Sequence, residues 1–168
     1  MPLSRWLTIA ALVAAPPTLG QTILDQAAND EIVLMRSEEP AMQKAFARAA
    51  ATLPDFLERA ARPREGTSGY ALKVAVSDKA NTEYFWVSSF TQEGDTFSGV
   101  LSNEPRLVNK HRMGDRIAFR RAHIVDWTYF DVSNQQTVGN FTACALLSRE
   151  PPEQAAAFKR QYGLSCED

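Results

Sequence analysis

Long apolar runs, histidine and cysteine are all scarce in this chain, and each scarcity closes off a class of function. The most apolar stretch, residues 6–15, is only ten residues long, about half of the roughly 20 that a membrane-crossing helix needs. The only two histidines, His111 and His123, stand twelve positions apart with no HExxH motif, so no zinc-protease site can be read. No metal or other cofactor is expected. The two cysteines, Cys144 and Cys166, form no CxxC pair, which removes the usual redox and zinc-ribbon patterns. Eight glycines include no phosphate-cradling loop. The sequence GTSG at 66–69 lacks a nucleophile elbow, because Tyr70 occupies the position where that motif requires glycine.

What stands at the start of the chain reads as an export signal. Arg5 supplies a positive lead, residues 6–15 the apolar centre, and Thr18-Leu19-Gly20 a small-residue cleavage site followed by mature sequence from residue 21. The protein is therefore expected in the periplasm or outside the cell. Residues 21–168 suffice for one domain, with no transmembrane segment expected in it. Cleavage after Gly20 removes one arginine and no acid, leaving 17 Lys+Arg against 20 Asp+Glu, a net charge of −3. That balance argues against a general nucleic-acid binder. In an oxidising compartment Cys144 and Cys166 are expected to pair, a cross-link of about 20 residues that removes about 3 kcal/mol of unfolded-state freedom.

Hydrophobic periodicity gives the fold class. Residues 21–30 read as a loose lead and residues 31–36 as a first strand or extended segment. Ser37 is placed to cap a helix whose apolar face is Met42, Phe46, Ala49 and Leu53. Thr52 and Pro54 are expected to restart that helix, carrying Phe56, Leu57 and Ala60. The period then becomes alternating: Leu72, Val74 and Val76; residues 84–91; and Phe97, Gly99 and Leu101, where Gly99 fits a bulge or a close approach. Strands are expected over residues 116–120, 123–132 and 138–147. A helix should open at Pro151-Pro152 and end near Tyr162. The expectation is an α+β domain, with N-terminal helices on a curved, mainly antiparallel sheet of about six strands and a short C-terminal helix.

The densest stretch is MGDRIAFRRAHIVDWTYF, residues 113–130. Gly114 suits a turn that other residues resist, and Asp115 can bond its own backbone there. Trp127 reads as a core anchor. Asp126 faces the other way and could cap a turn, pair with an arginine or serve as an acid. Charge is uneven here: Arg106, Lys110, Arg112, Arg116, Arg120 and Arg121 lie between residues 106 and 123 with Asp115 the only acid. Arg112, Arg116, Arg120 and Arg121 are the candidate binding residues for an acidic protein or an anionic envelope component. The alternative is a charged edge that discourages aggregation. Tyr84, Trp86 and Tyr129 could add stacking.

The spacing Gly114-Asp115, Ile124, Asp126-Trp127, Tyr129, Gly139 and Thr142, with EEPAMQKAFARAAATLPDFLERA and YFWV…GVLSNEP before it, resembles the bacterial domain-of-unknown-function family 2314. The likeness covers about residues 30–150. Exported members of that family include YegJ-like proteins, and a related-looking module occurs among immunity proteins that neutralise toxins. The resemblance implies a fold and an exported location, and it brings no catalytic residues. The leading reading is a non-enzymatic exported binding module, of which an immunity-like protein is a narrower version. The rivals are an envelope hydrolase using Asp126 with a histidine and a purely structural envelope domain.

Overall fold

The computed structural model describes residues 39–78, 81–108 and 110–166. The export signal, the lead, the strand expected at 31–36 and the Ser37 cap lie outside the described residues. The first described element is one helix, α1 (Pro40–Ala61), which buries Met42, Ala45, Ala49, Leu53 and Phe56 at helical spacing.

The restart expected at Thr52-Pro54 does not occur, because α1 runs through Pro54 without a break. The Thr52 hydroxyl donates back to the Arg48 carbonyl at 2.7 Å, as a helix-interior threonine does. An interior proline costs about 3 kcal/mol relative to alanine. Burying Leu53 and Phe56 on one stripe contributes about 2–3 kcal/mol each, and Ala50, whose carbonyl loses its donor, is exposed to water. Continuity wins.

Six strands follow: β1 (Thr67–Asp78), β2 (Asn81–Glu93), β3 (Thr96–Leu101), β4 (Arg116–Arg120), β5 (Ile124–Asp131) and β6 (Gln136–Gly139). The six strands pair antiparallel in the order β4-β3-β2-β1-β5-β6, and Thr137 of β6 adds one isolated parallel bridge to Leu164. The fold is α+β, as its periodicity implies. The first four strands form a meander, but β5 returns to the far side of β1. Only a short 3-10 turn, Arg121–His123, joins β4 to β5. In a flat sheet of this order those strands would lie about 19 Å apart. Four Cα steps reach at most about 14 Å, so the sheet must bend until its two halves approach.

Within the bend lies the main core: Leu72, Val74, Phe85, Val87, Phe97, Leu101, Ile117, Phe119 and Trp127, met by Ala49, Leu53 and Phe56 of α1 and by Val108. Gly99 serves a close approach, since a Cβ there would stand 2.5 Å from Val87 Cγ1.

The strand expected over residues 138–147 is corrected. β6 ends at Gly139 (φ +80°), Asn140 is left-handed (φ 55°), and residues 141–147 form a short helix, α2 (Phe141–Leu147). Two successive left-handed residues cannot extend a strand. The Cys144–Cys166 disulfide is present, spanning 22 positions. It ties the end of the chain to α2, not to a strand, just beyond the final helix α3 (Pro152–Tyr162). Among the described residues, no helix is long and apolar enough to cross a membrane.

Candidate functional site

β4 forms one border of the sheet and pairs only with β3 among the described residues. Its burial alternates strictly: Ile117 and Phe119 point into the core, while Arg116, Ala118 and Arg120 are exposed. Arg116 and Arg120 therefore share one face about 13 Å apart along the strand. Arg112 is exposed in the turn before β4, and Arg121, half-buried, opens the 3-10 turn after it. Arg116 Nη1 donates to the Ser89 carbonyl at 3.4 Å, and the backbone amide of Arg121 donates to the Asp95 carbonyl at 3.0 Å. Among the described residues none of these four guanidiniums has a carboxylate partner. The structure thus groups the four along one border and its two flanking turns.

The Gly114-Asp115 turn sets where that border begins. Gly114 takes φ +91°, a backbone that glycine adopts without strain. Its amide donates to Leu101 O, and Leu101 N donates to Asp115 O. One Asp115 oxygen accepts from the Arg112 amide at 2.9 Å. Upstream, the long connection is held by a single buried carboxylate, which binds backbone amides. Glu83 is buried in β2 and accepts from the amides of Arg106, Leu107 and Val108 at 2.9–3.1 Å. A carboxylate at an inward position of an apolar strand was the available signal.

Asp126 has no exposed surface, and its partners define a built cluster. Its carboxylate accepts from Trp127 N (2.8 Å), Phe141 N (3.3 Å), Thr142 N (2.8 Å) and Thr142 Oγ1 (2.7 Å). The carboxylate thereby satisfies the first amides of α2, which no cap residue of its own supplies. Lys73, the cross-strand neighbour of both Asp126 and Trp86, donates to Thr142 Oγ1 at 2.9 Å and lies over the Trp86 ring. Burial pushes the Asp126 carboxyl above the usual aspartate range, against the opposing pull of its donors and of Lys73. Burial likewise lowers the Lys73 ammonium, with Asp126 pulling it back up.

The cation beside Asp126 is a lysine from β1, where sequence reasoning had considered an arginine. No histidine is among its hydrogen-bond partners: the Nδ1 of exposed His123 instead accepts from the Arg120 amide. An enclosed carboxylate fully engaged by a helix terminus cannot reach substrate, which removes the support for a hydrolase built on Asp126 and histidine. Trp127 is buried, stacked on Phe56 at 4.8 Å, and its indole N–H donates to Ala49 O and Thr52 Oγ1 at 3.2 Å each. The three aromatics expected near the basic face go elsewhere. Tyr84 meets Phe46, Trp86 covers Lys73, and Tyr129 stacks on Tyr70.

Residues 39–166 match a family model described as "Uncharacterized protein conserved in bacteria (DUF2314)". The chain is also 28% identical over 127 residues to the uncharacterized protein YegJ of Escherichia coli (strain K12), an alignment covering 76% of this chain and 80% of YegJ. No solved structure shows a significant match.

Proposed function

The chain belongs to the DUF2314 family of bacterial proteins, and on that premise we propose that it is an exported, non-enzymatic binding module. Its β4 border would take an acidic protein or another anionic component of the cell envelope. One observation carries this reading: four guanidiniums gather on one sheet border, and none has a carboxylate partner among the described residues. Unmatched charge of one sign on an exposed strand speeds and orients encounter with a partner of opposite sign. Asp126, the strongest acid candidate in the chain, is occupied by capping α2. Export rests on the signal pattern of residues 1–20, and the Cys144–Cys166 disulfide is compatible with an oxidising compartment.

The test is a pull-down from envelope extract with residues 21–168. It compares the native chain, a variant with Arg112, Arg116, Arg120 and Arg121 changed to Ser, and a control with Arg62, Arg64 and Arg160 changed to Ser. A component retained by the native chain and the control but lost by the first variant supports the proposal. Equal retention by all three folded proteins, or none by any, refutes it.

A further inference from the structure

The outer edge of β4 carries backbone groups as well as arginines. β3 and β4 pair in antiparallel register, with Gly99 opposite Ile117 and Phe97 opposite Phe119. Leu101 N donates to Asp115 O at one end of this ladder, and Arg121 N donates to Asp95 O at the other. Bonded and non-bonded pairs alternate along such a ladder, so Ile117 and Phe119 turn their amides and carbonyls toward β3. Arg116, Ala118 and Arg120 turn theirs the opposite way, off the border of the sheet. Among the described residues no strand pairs with that side. One contact closes its far end, where the Arg120 amide donates to His123 Nδ1 at 3.5 Å. The amides of Arg116 and Ala118, and the carbonyls of Arg116, Ala118 and Arg120, make up the open edge.

We propose that this edge takes an extended acidic peptide segment as an added strand, with carboxylates at two positions four residues apart. Such strand addition rests on the reading of β4 as a contact face and specifies the form of its partner. Backbone groups of an edge strand hold an incoming chain whatever its sequence, and the side chains beside them select which chain. Arg116 and Arg120 stand on the exposed face with the small side chain of Ala118 between them. Carboxylates four residues apart on an added strand share their spacing of about 13 Å, so each meets one guanidinium across the strands. Arg116 Nη1 donates to Ser89 O at 3.4 Å, and the other N–H groups of that guanidinium remain to bind a carboxylate. A second copy of β4 is a poor occupant. Antiparallel pairing about Ala118 would set Arg116 against Arg120 and oppose like charges.

The probe is a blocked Thr-Val-Glu-Val-Thr-Val-Glu-Val-Thr peptide, titrated into the oxidised chain, residues 21–168. One control peptide carries Gln for both Glu. A second is methylated at the backbone nitrogens of both Glu and the central Thr, which keeps the charge and removes the donors that would face β4. The acidic peptide is expected to bind, and each control to bind about tenfold more weakly or worse. Ala118→Pro removes an outward N–H and leaves the β3 ladder intact, a placement that an edge strand tolerates; it should weaken binding by about the same factor. Arg116→Ser with Arg120→Ser should do likewise, and Arg62→Ser with Arg64→Ser should leave binding unchanged. Equal binding of the methylated peptide, or full binding by Ala118→Pro, overturns strand addition while leaving an anionic partner on the arginines standing. Equal binding of the Gln peptide, or indifference to loss of Arg116 and Arg120, overturns the selection for acid. No binding of the acidic peptide at about 1 mM overturns the proposal, and the envelope pull-down decides separately whether the arginines hold a partner of another form.

Discussion

Asp126 shows how much a single side chain can organise. Its carboxylate joins β5 to the first turn of α2, and removing one acceptor oxygen leaves buried donors without a partner. Asp126→Asn should therefore cost about 2–4 kcal/mol in urea unfolding; a loss near zero would show that the cluster does not hold α2. The pH dependence has a defined sign. The Asp126 carboxyl is raised in the folded state, so between its unfolded and folded values the native protein keeps a proton that the unfolded chain has lost. Stability from this group consequently falls as pH rises through the folded value, and the native chain should gain on the Asn variant as pH is lowered through that window. Lys73 is lowered, so its contribution is least favourable below its folded value and improves as pH rises toward the ordinary lysine range. At this scale the sequence placed Trp127 in the core and Asp126 on the opposite face, because alternation alone decides both. The cap was hidden because Thr142 and Lys73 lie 16 and 53 positions away in sequence.

α1 and α2 mark the limits of local signals at the scale of elements. Thr52-Leu53-Pro54-Asp55 has the composition of a helix start, yet the stripe that continues from Leu53 to Phe56 keeps one helix. The Trp127 indole, bonded to Ala49 O and Thr52 Oγ1, braces the turn just before the proline. Pro54→Ala should raise stability by about 1–3 kcal/mol, read as a higher denaturant midpoint; a decrease would mean that the proline serves the native backbone. The strand expected over residues 138–147 fails because the seven apolar-rich residues of Phe141–Leu147 fit either period. Gly139, Asn140 and a carboxylate from β5 turn them into a helix. A Cβ on Gly139 would fall 2.3 Å from Trp127 O, which explains glycine at that corner. The cysteine pair was legible from the number of cysteines and the compartment expected from residues 1–20. Reducing it should lower stability by about 3 kcal/mol and speed amide exchange in α3, whereas unchanged exchange there would disconnect the cross-link from that helix.

For the whole molecule, periodicity yields the α+β class, the approximate strand count and the C-terminal helix. It does not yield the strand order, since β5 joins β1 through side-chain complementarity between segments some fifty residues apart. That return bears on the proposed contact face. By taking the far side of β1, β5 leaves β4 as a border, with Arg116 and Arg120 on the strand and Arg112 and Arg121 in its two flanking turns. The most direct test of the β4 border as a contact face places a photo-crosslinking amino acid at Ala118, between Arg116 and Arg120, and at Gln161 on α3, with the protein expressed in bacterial cells. The account predicts a discrete adduct from position 118, lost when the four arginines are changed to Ser, and none from position 161. An absence of adduct at 118, or equal adducts at both positions, would contradict it.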